Sequence, residues 1–461
     1  MNRRRFLYLA GASAGAISAW ADSAVPRFRL ARFVADVTPP VGSMLFGAKE
    51  AKEIVDGLEA RGLVFLSDDK PIVLVSVDWI EIRNDAFDAW RNALAEAAGT
   101  TPDRVMLTCV HQHDAPLADL EAQRILEERK VNATLIDLEF HERTVRHVAS
   151  CLKDSLTRQR AVTNIGIGQA KVGQVASNRR VVHPDGRIEH GRGSASGGNA
   201  FYREADDGLI DPWLKLITFW NGSTQLAGLH TYATHPMSYY GKGGVSCDFP
   251  GIARRRRHWD DPTCLQIYAS GCSGNVTAGK YNDGSPDNRA VLADRLYRGM
   301  VAAQEATRIH PLKSLRWKSV PLRLEPRNSS GFTVADLEKK LREKTATPFS
   351  AFEFTKAALG LSWRKRADAG HKLDVPVLDL GPAQIILLPA ESYVEFQLFA
   401  QEQRPASFVM VMGYGECAPG YIPTEQAWAE NDSNLRDWCW VAPGAEAALK
   451  TAIAQAMKPQ L

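Results

Sequence analysis

The stretch Arg104 to Pro116, RVMLTCVHQHDAP, constrains the rest of the chain more than any other. Its apolar, β-branched run reads as a strand. The run ends in two histidines at i and i+2, an aspartate and, two residues on, a proline. On an extended strand residues i and i+2 share a face, so His111 and His113 are expected to turn both imidazoles to one site at the strand's end. Sheet proteins keep much of their chemistry there. Imidazole is a common metal ligand and an equally common hydrogen-bonded core residue, so HxH by itself leaves both readings open.

The surrounding pattern is that of a layered protein. A strand from Ala31 breaks at Pro39-Pro40, and a hairpin follows from Gly62 to Leu66 and Ile72 to Asp78. An amphipathic helix from about Asp85 to Ala98 is expected next, with Asn84 as N-cap and Gly99 as its stop, before the histidine strand. Helices are expected over Leu117 to Lys130 and Leu138 to Leu156, and a strand over Val162 to Gln169. Leu214 to Trp220 and Gln225 to Ala233 form a hairpin about Asn221-Gly222, a pair suited to a type I′ turn. This order predicts an α/β (α+β) fold, a mixed sheet layered with helices, its site assembled at strand ends and long loops. No internal repeat is visible. The Arg254 to His258 run on the helix near Phe249 reads as a solvated face.

Other apolar strands also end in chemistry. Gln225 to Ala233 runs into Thr234-His235-Pro236, Leu265 to Ala269 into the glycine-rich SGCSGNVTAGKYNDG, and Gln384 to Leu388 into Pro389-Ala390-Glu391. Ser407 to Met412 leads into GYGECAPGYIPTEQAW, which carries Tyr421. Ser177 to Gly208 is a long stretch rich in Gly, Arg, Asp and Ser, and its Arg, His, Asn and Tyr content favours an ordered active-site loop over a surface excursion. Two His and one Glu provide what a zinc hydrolase needs: a few N/O ligands and an open position for water.

Composition excludes some classes. With 56 basic against 53 acidic residues there is no nucleic-acid footprint. The first 21 residues, MNRRRFLYLAGASAGAISAWA, read as an export signal of the twin-arginine type with an A-x-A cleavage pattern, which points to a periplasmic or secreted protein. No later run reaches the ~20 apolar residues of a membrane span. The seven cysteines show no CxxC, and Cys417 with Cys439 is the pair to test for a bridge.

Taken in order, ADVTPPVG (35 to 42), VHQHDAP (110 to 116), SNRR (177 to 180), THPMS (234 to 238), SGCSGNVTAGK (270 to 280), LPAE (388 to 391) and GYIPT (420 to 424) resemble motifs of the neutral/alkaline ceramidase family. The resemblance implies a single catalytic domain over 22–461, without the C-terminal β-sandwich of longer members. It implies one Zn2+ per chain held by His111, His235, Glu391 and Tyr421. It places His113 beside the metal as a group acting on the leaving atom, and Arg179 as a substrate-binding arginine. Attack of activated water on an amide carbonyl would follow, with Tyr421 and the cation stabilising the oxyanion.

The family's GDVSPN is here Gly274 to Gly279, so Asn275 and Thr277 replace its acid and serine, and the serine of its HTHS motif is Asp114. Thr277 is the expected catalytic replacement, and Asp114, Asn275, Lys280, Tyr281 and Asp283 are expected at the substrate. These departures concern the substrate more than the metal. The expected function is therefore an exported zinc hydrolase cleaving a lipid-type amide. One alternative is the same fold and metal acting on a glycan, as an esterase, deacetylase or glycoside hydrolase. Another is a binding protein that has lost catalysis.

Overall fold

The computed structural model describes residues 27–343 and 348–459, so the export segment lies outside the described residues. Three sheets carry the α/β fold. The first orders its strands Arg160–Ala161, Arg29–Asp36, Glu59–Leu66, Ile72–Val77 and Val105–Cys109. The second runs Leu265–Ser270, Thr224–Tyr232, Trp213–Asn221, Asn164–Lys171 and Arg308–Pro311. The third runs Arg316–Leu322, Leu373–Asp379, Ala383–Leu387 and Phe408–Met412.

Each sheet contains the same unit: an antiparallel strand pair, a helix, and a strand that returns parallel to the second strand of the pair. The crossover helices are Asn84–Ala98, Asp248–Asp260 and Val394–Glu402. A parallel return requires such a crossover, since a tight turn cannot make it. The repeat is one of architecture: equivalent positions hold different residues, which is why no repeat is legible in the sequence.

The three returning strands meet end to end. Ser270 Oγ donates to the Val110 carbonyl (2.7 Å), Gly413 N to the Ser270 carbonyl (2.8 Å) and Cys109 N to the Tyr414 carbonyl (3.0 Å). Beneath this junction one apolar cluster draws on all three sheets, including Phe65, Met106, Leu229, Ile267, Ile385 and Met410. Each such buried side chain contributes roughly 1.5–3 kcal/mol.

Several expectations change. Asn84 is not an N-cap: Arg83 holds that position, and Asn84 (φ 49°) donates to Asp119 and Ser362. The hairpin turn is Gly222-Ser223, with positive φ at Gly222, the pattern of a II′ rather than an I′ turn. Arg254 is buried rather than solvated, because Asp78 takes it in a two-pronged pair (2.6 and 2.7 Å). Cys417 and Cys439 are both buried and unbridged. The helices Val334–Arg342, Pro348–Asp368 and Ala445–Met457 were not anticipated. Among the described residues, no helix is long and apolar enough to cross a membrane.

Candidate metal centre

Beyond the second strand of each pair the chain makes one further short parallel pairing. Glu81 pairs with Leu117, His235 with Thr277 and Glu391 with Tyr421. These bridges lead the chain towards the junction of the three returning strands. His111 follows the first of those strands and Tyr414 the third.

His111 does not reach the site by strand alternation. The strand ends at Cys109, and His111 adopts a left-handed backbone with φ of 73°. Ala390, just before Glu391, and Tyr414 are also left-handed, at 53° and 54°. A bulky residue there carries strain of roughly 1–3 kcal/mol, and such strain gathers at functional sites. Tyr414 stacks on the His111 ring at 4.2 Å and bonds Ser273 Oγ at 2.6 Å.

The ring orientations define the chemistry. His111 Nδ1 lies 2.9 Å from the Ile80 carbonyl and His235 Nδ1 2.5 Å from that of Ser273. A carbonyl only accepts, so both Nδ1 atoms carry protons and both Nε2 atoms keep lone pairs. Those lone pairs face one carboxylate: Glu391 Oε2 is 2.9 Å from His235 Nε2 and 3.4 Å from His111 Nε2. Burial lowers the His235 pKa to about 4, so protonation does not place a proton on the His235 Nε2 near neutrality. Converging acceptors without a donor fit a divalent cation, and backbone carbonyls on the far nitrogens fix the ligand tautomer. Among the described residues, the His/Glu groupings compatible with a metal are His111, His113, His235 and Glu81, His111, Glu391, with ligand atoms within 4.8 Å of one another in each.

His113 brings both ring nitrogens to this point buried and unpaired. Its ring is gripped edge-on by Phe46 (4.7 Å) and Tyr240 (5.0 Å). Burial, then His111 and His235, holds it well below the ordinary imidazole range, so it is neutral. Arg179 Nη1 donates to Tyr421 Oη (2.8 Å) and Asn434 Oδ1 (2.6 Å). Burial opposes the Arg179 charge, but Tyr421 and Glu391 more than offset it, and burial keeps the Tyr421 hydroxyl protonated. In the Ser177 to Gly208 stretch, Arg180 and His190 both bond Glu430, which joins it to the segment following Tyr421.

Over the centre opens a cleft of about 260 Å³. Phe46, Phe352 and Trp438 line its wall with aromatic rings, and Lys356, Asn434 and Asp437 with polar groups. Glu81 and these wall residues were missed in the sequence. Glu81, in VDWIEIRND, bore the same sign as Glu391, a carboxylate closing an apolar strand; Phe352 and Lys356 lie on an unanticipated helix.

Other expected site residues are placed elsewhere. The buried Thr277 hydroxyl accepts from Gly279 N (3.0 Å) and reaches the Gly193 carbonyl (3.3 Å), so it locks two loops together instead of facing the cleft. Asp114 accepts from Gly241 N (2.8 Å) and faces Arg289 (3.6 Å), and burial raises its pKa to about 6. Asn275 accepts from Val394 N (2.9 Å) while its carbonyl takes Arg179 N (2.8 Å), so it positions Arg179 through the backbone. Lys280 and Tyr281 both bind Asp207, and Asp283 closes a turn on Ser285.

A mixed α/β fold with histidine and carboxylate groups gathered where three strand ends meet defines a candidate metal protein. The fold is shared with solved ceramidases. The crystal structure of neutral ceramidase from Pseudomonas aeruginosa matches with a TM-score of 0.66 at 16% identity, over 94% of this chain and 74% of that one. A ceramidase complexed with C2 matches with a TM-score of 0.65 at 16% identity, over 94% and 75%. No protein-family profile and no curated protein matches the sequence.

Proposed function

We propose that this chain is an exported zinc-dependent hydrolase that cleaves an N-acyl (amide) bond. The observation that carries the proposal is the facing of two Nδ1-pinned imidazoles on the Glu391 carboxylate, a set of acceptors that a cation completes. His111, His235 and Glu391, with Tyr421 as the fourth ligand that the resemblance implies, would hold one Zn2+ per chain, which when bound acts as a Lewis acid and lowers the pKa of water. Tyr421 accepts from Arg179 and thus keeps its own O–H to donate to a developing oxyanion. His113, neutral and unpaired, offers one N–H and one lone pair for a proton at the leaving atom. Residues 1–21 would direct export and 22–461 form the catalytic domain. The ceramidase fold of the structural neighbours supports a lipid amide as substrate.

The cleft supports a second reading. The aromatic rings of Phe46, Phe352 and Trp438 beside the polar groups of Lys356, Asn434 and Asp437, in about 260 Å³, suit one stacked polar ring better than two alkyl chains. An acylated sugar meets that description. Amine or acid release by the zinc-loaded protein, measured on N-acyl sphingosines and N-acetylated sugars, tests both readings. The first predicts turnover of N-acyl sphingosines that His235→Ala abolishes. Turnover of the sugars alone selects the second, and turnover of neither contradicts hydrolysis.

A further inference from the structure

The three units do more than share a topology: they bring equivalent residues to one place. In each, the chain runs three or four residues beyond the second strand of the pair before a short parallel pairing, two residues long at Glu81 and Glu391 and a single bridge at His235. The bridging residue is Glu81 after Val77, His235 after Tyr232 and Glu391 after Leu387. Their partners, Leu117, Thr277 and Tyr421, lie at matching places beyond the returning strands. Two of the three equivalent positions hold proposed metal ligands. The third holds a carboxylate.

Glu81 is fully buried. Arg83 Nη1 donates to its Oε2 at 2.8 Å, which balances its charge and fixes its plane. Oε1 has no hydrogen-bond partner. An oxygen of Glu81, a ring nitrogen of His111 and an oxygen of Glu391 all lie within 4.8 Å of one another. A buried carboxylate oxygen without a donor is costly, and a cation shared with His111 and Glu391 removes that cost. Its pairing with the buried Arg83 occupies Oε2 alone, and Glu81 is absent from the cleft lining.

We propose that Glu81 is a further ligand of the metal centre, so that its protein donors include two imidazoles and two carboxylates, with one carboxylate or imidazole from the same strand-end position of every unit. The proposal rests on the metal centre proposed above. Two carboxylates with two imidazoles make a harder donor set than histidines alone, and the expected consequence is tolerance of Mn2+ or Co2+ as well as Zn2+.

The test is metal binding itself. The full-length protein, Glu81→Gln and His235→Ala are stripped with chelator and titrated with Zn2+ in a competition assay, and the visible spectrum of each Co2+ form is recorded. Glu81→Gln is expected to weaken Zn2+ binding by roughly 100-fold or more, beyond the usual effect of a residue that only supports a ligand. Its Co2+ absorption bands should shift, because a donor has left the ion. Unchanged Co2+ bands, whatever the affinity, overturn the assignment of Glu81. Should Glu81→Gln not fold, Glu81→Asp carries the comparison, since it keeps a charge beside Arg83 and withdraws the oxygen by one methylene. Failure of the whole metal reading looks different: the unaltered protein takes up no ion, or His235→Ala binds as well as it does.

Discussion

The backbone at His111 turns left-handed, a conformation that costs a non-glycine residue roughly 1–2 kcal/mol. The turn sends the ring towards His235, 4.9 Å away between centroids, and leaves His113 beside both. This division of the two histidines leads to a test. His113→Ala should lower kcat/KM by roughly 10²–10⁴-fold, the range of a lost general acid or base, while metal content stays at that of the unaltered protein. Loss of the metal would instead make His113 a ligand. Arg179→Met should retain metal and lose roughly 10²–10³-fold in kcat, because Tyr421 loses the donor that orients its hydroxyl. An unchanged kcat would remove Arg179 from the chemistry.

At the level of elements, short strands bounded by turns were legible, and so was the chemistry at their ends, since apolar runs closing in His235 and Glu391 are local signals. Thr277, Lys280 and Tyr281 were not legible in the same way. Their neighbours in space are Gly193 and Asp207, some seventy or more positions distant, and only the folded loop shows that those partners use up the polar groups. Left-handed His111 also defeats the period-2 rule, which holds only while the strand lasts. Close packing of these loops makes two predictions. A Cβ on Gly274 would overlap the Glu391 carbonyl oxygen, so Gly274→Ala should displace that ligand and weaken metal binding by roughly 10–100-fold in a chelator competition. Glu430, which anchors Arg180 and His190, has its carboxyl lowered to about 2, chiefly by its bonds to Arg180. A depressed carboxylate stabilises above its unfolded pKa and ceases to do so as pH falls through its folded one. The Tm gap between the protein and Glu430→Gln should therefore narrow from the ordinary glutamate range down to about pH 2, and a gap independent of pH would contradict the ion pair.

For the molecule as a whole, three ββαβ units lean on one core and point their strand ends at one centre, so stability and function share a junction. Ile267 belongs to the cluster that unites the sheets, and Ile267→Ala should cost about 2–5 kcal/mol in denaturant unfolding. The likeness to ceramidase structures at 16% identity fits this picture, in which an architecture persists while the residues filling it change. What no stretch of sequence contains is the convergence itself, because His111, His235 and Glu391 are joined only by folding. The most direct measurement is therefore elemental analysis of the purified, dialysed protein beside His235→Ala. One zinc per chain in the former and its loss in the latter is the predicted result; a metal-free protein, or equal metal in both, would contradict the centre on which the functional proposal stands.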